Sequence, residues 1–204
     1  MKVSDIFVKI LESHWVQTIY WVPWEENLDL LNSIWNSSIK LILTRNEQTA
    51  VFMAATYWRY TWKVWVALAT LWPWATNMLT WVAYAYLWGM PVLLITWQKP
   101  IKKSKQWQFQ IIDVVSMMKP VTKYATSIVS PLNASYIINN AIKIAEEERP
   151  WAVHIELPED IAAEEVDIKI ESLSKILKAR RPIIDDKMFF ILKKEMENCK
   201  TPTL

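Results

Sequence analysis

A chain of 204 residues can hold one full-sized domain with its own core and a tail, but is short for two. Its formal charge of +2, with acids and bases interleaved, lacks the basic footprint that nucleic acid binding leaves, and its single cysteine, Cys199, excludes a disulfide framework or a cysteine-built metal site. Charges at Lys2, Asp5, Lys9 and Glu12 exclude a signal peptide, and Pro73 interrupts the longest apolar stretch before it reaches membrane-spanning length, so a cytoplasmic protein with no nucleic acid or membrane partner is expected.

Apolar residues at Val3, Ile6, Phe7, Ile10 and Leu11 recur at helical spacing and predict a helix over 3–13. A short β-rich run, 18–22, is closed by Pro23, and residues 25–34 return to helical spacing behind two acids that favour a helix N-terminus. Strand 39–44 and helix 47–60 follow. Residues 64–70 are apolar without alternation, as a strand covered on both faces requires. Helix 75–87, strand 91–96, helix 111–118 and strand 121–125 come next. Ser130 and Pro131 open a long helix over 131–148, and 152–157 is the last strand.

About six alternations of strand and helix predict an α/β fold, a doubly wound parallel sheet of about six strands with helices on both faces. Ligands of such sheets gather beyond the carboxyl ends of the strands, which directs attention to the loops at 21–25, 45–48, 70–77 and 97–110. One domain is expected over 1–165. Residues 166–204 turn charged and irregular and read as a linker and the cut-off start of a central domain, with one amphipathic helix over 185–198.

One glycine against 14 tryptophans departs from the usual glycine share of about 7%. The tryptophans sit where turns want glycine: Trp21 and Trp24 flank Val22-Pro23, Trp72 and Trp74 flank Pro73, and Trp151 follows Pro150. Some genetic codes read UGA as tryptophan and others as glycine. The pattern therefore predicts UGA codons whose intended residue is glycine, rather than an aromatic core.

HExxH, CxxC and GxxxxGK patterns are absent, and no metal site is expected from this chain alone. His154 lies inside an apolar strand and reads as a core histidine; His14 ends the first helix and favours its dipole. The basic run Lys102-Lys103-Ser104-Lys105 reads as a solvated loop. Glu47 opens a helix at the carboxyl edge of the sheet. That position suits either an active-site carboxylate or a residue that merely complements the helix dipole.

Five segments, TIYWVPWEENLDLL at 18–31, TRNEQTAVFMAATYWR at 44–59, TLWPWATN at 70–77, PVLLITWQ at 91–98 and FQIIDVVSMMKPVTKYA at 109–125, resemble successive landmarks of thiamine-diphosphate-dependent enzymes once tryptophan is read as glycine. The resemblance covers about residues 1–165 and is closest to acetolactate synthase large subunits. It implies that Glu47 is the acid/base residue bonded to N1′ of the cofactor's aminopyrimidine. It also implies that Pro23, Trp24, Thr70, Pro73, Trp74 and Asn77 belong to the loops around that ring, and that Phe109 and Gln110 stand near a substrate entrance, offered to a partner subunit.

The reaction implied is decarboxylation of pyruvate and carboligation to a second 2-oxo acid. Magnesium would be bound by a C-terminal domain absent here, FAD would sit on a middle domain, and the assembly would be a homodimer or tetramer, with room for a regulatory subunit. Acetolactate synthases often carry glutamate where this chain has Ile111, which leaves open another 2-oxo-acid decarboxylase or carboligase, as well as an inactive fragment or half of a split enzyme.

Overall fold

The computed structural model describes residues 1–22, 24–61, 63–102, 110–167 and 183–199. Six strands, β1 (Thr18–Trp21), β2 (Lys40–Leu43), β3 (Trp65–Leu68), β4 (Val92–Gln98), β5 (Tyr124–Ser127) and β6 (Val153–Pro158), form one sheet in the order β2-β1-β3-β4-β6-β5. Every pairing is parallel. The helix α1 (Val3–Ser13) precedes the first strand; α2 (Leu28–Trp35), α3 (Glu47–Thr61), α4 (Trp74–Asn77), α5 (Leu79–Trp88), α6 (Val114–Met118) and α7 (Ala134–Glu146) run between strands; α8 (Glu159–Ala163) and α9 (Asp186–Asn198) follow the last.

The helices divide between the two faces. Val3, Phe7 and Leu11 of α1, Leu30 of α2 and Ile138 of α7 pack on one face against Ile19, Val66 and Leu93. Ala50 and Ala54 of α3 and Val82 and Ala85 of α5 pack on the other against Tyr20, Ala67 and Leu94. Neighbouring strand residues thus enter opposite cores, and β3, β4 and β6 are buried along their whole length. This is the doubly wound sheet that the apolar, non-alternating strands predict.

Three predicted helices are broken. Residues 75–87 divide at Met78 into α4 and α5, and a 3-10 turn, Pro131–Asn133, precedes α7. Another 3-10 turn, Glu25–Asn27, precedes α2. For 25–34 and 131–148 the apolar stripe lies in the later piece, so spacing located the helix but not its first turn.

The end of α1 shows where a glycine is wanted. Val16 N–H donates to Leu11 O at 3.0 Å and Trp15 N–H to Glu12 O at 2.9 Å, with Trp15 at φ 63. That is the Schellman closure, in which the left-handed residue is usually glycine. The chain's one glycine closes α5 in the same way: Gly89 has φ 63, its N–H donates to Tyr86 O, and Met90 N–H donates to Ala85 O. Trp15 thus occupies the position that Gly89 fills at the end of α5.

The other tryptophans correct the sequence reading in part. Trp24 is extended at φ −155, ψ 163, and neither Trp72 nor Trp74 has a positive φ, so backbone conformation does not require glycine there. Trp21, Trp65 and Trp97 are buried and belong to the core. Trp97 pays for it with an indole N–H that has no acceptor, the signature of a polar group forced inside.

Candidate active site

The chain leaves β1 first for β2 on one side and then for β3 on the other. The carboxyl ends of β1 and β3 therefore diverge into the crevice where such sheets bind ligands. Glu47 approaches it from the β2 side. It is the first residue of α3, held by the buried Ala50 and Val51 behind it, and it is only 4% exposed. Asn46 fixes the turn before it: its side-chain oxygen accepts from Gln48 N–H at 2.7 Å, and its backbone carbonyl accepts from the Thr44 hydroxyl at 3.1 Å.

Asn77 approaches from the β3 side at the end of α4. Its side-chain Nδ2 donates to Glu47 Oε2 at 3.1 Å. Ala75 and Met78, both fully buried, seat this short helix, while the Pro73 carbonyl accepts from Asn77 N–H at 3.2 Å and from the Thr76 hydroxyl. The pair thus reaches across the end of β1. Among the described residues no group donates to Glu47 Oε1, so one carboxylate oxygen is held and the other is available. Thr70, two residues beyond β3, is 1% exposed with its hydroxyl unpartnered, although its backbone carbonyl accepts from Trp97 N–H at 3.2 Å.

Trp24 and Trp74 come from the two loops that line the crevice, and their rings lie 5.0 Å apart. What separates those loops from a flat ligand is therefore indole bulk, which glycine at either position would remove. Pro23 and Phe109 lie outside the described residues, as do Lys103, Ser104 and Lys105 of the basic run. Lys102 pairs with Glu164. Gln110 stands at φ 62 just ahead of Ile111, Ile112 and Asp113, which line a cavity of about 330 Å³ with Gln98, Lys99, Pro100, Ile101 and Glu156. That cavity lies beyond β4 and β6, so the fold does not gather Gln110 with Glu47, Thr70 and Asn77 in this chain.

That cavity is not the better candidate for chemistry. Glu156, which spacing did not single out, is a charged residue inside an apolar strand; burial raises its pKa, and Gln98 Nε2 donates to it at 3.1 Å. Glu26 and Lys99, 3.4 Å apart and mostly buried, tie the loop after β1 to the end of β4, and Asn27 beside them is fully buried with both side-chain polar atoms unpartnered. His154 is a core histidine: its Nε2 meets the Thr96 hydroxyl at 2.7 Å, and burial lowers its pKa to about 3. His14 Nε2 meets Asn139 Oδ1 at 2.9 Å. Among the described residues no cluster of metal-ligating side chains occurs, and no helix is long and apolar enough to cross a membrane.

Residues 1–117, which carry Glu47, Asn77 and both loops of the crevice, match the family described as thiamine pyrophosphate enzyme, N-terminal TPP binding domain. The chain belongs to this family. It is 34% identical over 158 residues to the catabolic acetolactate synthase of Raoultella terrigena, a match covering 78% of this chain and 28% of that protein. It is 34% identical to the probable acetolactate synthase large subunit of Methanocaldococcus jannaschii, covering 83% and 29%, and 37% identical to the acetolactate synthase of Arthrospira platensis, covering 81% and 30%. As a thiamine pyrophosphate enzyme domain, the chain spans under a third of the length of these relatives. The β1/β3 crevice lies within the matched residues. Its polar groups, a buried carboxylate with one free oxygen and an unpartnered threonine hydroxyl, suit an aminopyrimidine, whereas the indoles at 24 and 74 crowd it.

Proposed function

We propose that this chain is the pyrimidine-binding domain of an acetolactate synthase, which decarboxylates pyruvate and joins the product to a second 2-oxo acid. The observation that carries the reading is Glu47, a buried carboxylate at the topological switch point with one oxygen fixed by Asn77 and the other free. Thiamine diphosphate, when bound, supplies the electron sink for the decarboxylation. Glu47 holds or moves a proton at Oε1. Thr70 and Pro73, with the backbone of the loops that carry Trp24 and Trp74, line the ring's pocket, and the buried Ala75 and Met78, which seat α4, keep water from the carboxylate's inner side.

Magnesium and the cofactor's diphosphate fall to a part of the enzyme outside this chain, as does FAD if the enzyme carries it. Phe109 and Gln110 serve substrate entry at a partner's site, and a homodimer forms through this domain. Support for that interface is the apolar outer face of α3, where Phe52, Met53 and Tyr57 are each 36–40% exposed. Replacing Glu47 with Gln in the complete enzyme tests the reading: acetolactate formation should fall by about 10²–10⁴-fold while thiamine diphosphate remains bound. Retention of full activity would sink it. Product analysis with pyruvate alone separates acetolactate synthase from a sibling carboligase, for which Ile111 in place of glutamate is the feature to watch.

A further inference from the structure

We infer that Asn77 is a positioning residue for Glu47, serving to aim its free oxygen rather than to bind the cofactor; the inference rests on the proposed role of Glu47. Asn77 Nδ2 donates to Glu47 Oε2 at 3.1 Å across 30 residues of sequence. Both ends of this hydrogen bond are mounted rigidly. Glu47 stands on α3, whose next turn is buried at Ala50 and Val51, and Asn77 on α4, pinned through the Pro73 carbonyl and the buried Ala75 and Met78. A further bond, Trp81 Nε1–H to Gln48 Oε1 at 3.3 Å, ties α5 to α3 beside it.

The choice of amide has a chemical reason. A carboxylate with several rotatable bonds samples many directions unless one oxygen is held, and an amide N–H holds it without bringing a second titrating group. Aspartate at the same place would set two carboxyls at hydrogen-bond distance, where one proton is shared. The side-chain oxygen of Asn77 accepts no hydrogen bond among the described residues, so what ties this side chain down is its bond to Glu47.

Three measurements test this. In the 204-residue chain, without cofactor, the Asn77 side-chain amide proton should shift through the titration of Glu47, and this pH response should vanish in E47Q. In the complete enzyme, N77A should lower kcat about tenfold, the loss of one charge-assisted hydrogen bond, while thiamine diphosphate affinity read by tryptophan fluorescence stays within about threefold. N77D should move the acid limb of the rate profile to higher pH, and N77S should recover part of kcat. An Asn77 amide that ignores pH, or an N77A loss that appears wholly as weaker cofactor binding, overturns the inference. An E47Q enzyme with full activity overturns the proposed function instead, whatever Asn77 does. If N77A does not fold, the amide titration of the unmodified chain and N77S still decide.

Discussion

Trp15 offers a stability measurement whose sign is fixed by backbone geometry. The residue closes α1 at φ 63 and is 68% exposed, so its indole contributes little apolar burial; its main contact is the Lys63 ammonium, 5.3 Å from the ring. Trp15→Ala and Trp15→Gly both lose that contact, worth about 0.5–1 kcal/mol at an exposed site, and the loss cancels between them. What remains is the Cβ. In the left-handed region a side chain costs about 1–2 kcal/mol, against which glycine's larger unfolded-state entropy returns about 0.4–1 kcal/mol. The Trp15→Gly variant should therefore be more stable than Trp15→Ala by up to about 1.5 kcal/mol, or up to about 3–6 °C in Tm for a chain of this size. Trp35, 83% exposed at the last turn of α2, is the control: there glycine should be the less stable of the two, by up to about 1 kcal/mol. Urea and thermal unfolding of the four variants give the answer. Alanine matching or exceeding glycine at position 15 would refute the claim that this turn is built for a residue without Cβ.

Removing the indoles at 24 and 74 together should strengthen thiamine diphosphate binding by the 204-residue chain, read by calorimetry; weaker binding would show that the rings are part of the pocket. The coding DNA should read UGA at Trp15, Trp24, Trp72 and Trp74, and peptide masses from the source cell should show glycine there; UGG codons end that explanation. The lowered pKa of His154 means that the unfolded chain takes up a proton that the folded chain refuses. Its contribution to stability is therefore present above about pH 6.5 and lost as pH falls toward 3, and His154→Gln should flatten this acid limb in denaturation midpoints. Glu156 acts in the opposite sense: its raised pKa gives stability below its ordinary range that fades as pH rises, so Glu156→Gln should gain stability relative to the unchanged chain near neutral pH.

The sheet and its helices were legible because period and burial coincide: Val3, Ile6 and Ile10 mark one helix face, and residues 64–70 lack alternation because both sides of β3 are covered. Strand order was not, since β6 inserts between β4 and β5 through contacts that no local pattern encodes. Glu47 could be placed at the strand-end rim from its neighbours alone, yet its link to Asn77 spans α3 and β3 and emerges only in three dimensions. A turn beside a proline can want a residue without Cβ for a positive φ or for a close backbone, and sequence alone does not say which. Spacing around Pro23 and Pro73 pointed to Trp24 and Trp74, whereas among the described tryptophans the left-handed one is Trp15, whose signal was the end of the first apolar stripe.

The amino group of Met1 donates to Val166 O at 3.2 Å, Val166 N–H donates back to Met1 O at 2.9 Å, and Val3 N–H donates to Glu164 O at 2.9 Å. Entry to and exit from the sheet unit are thus buttoned together. A pull applied beyond residue 167 meets this clasp before any strand feels it, so tension would peel the first helix's leading edge and spare the rim that carries Glu47. A peptide bridge from 166 back to 1 could likewise close the unit into a ring, with new ends opened in a distant surface loop.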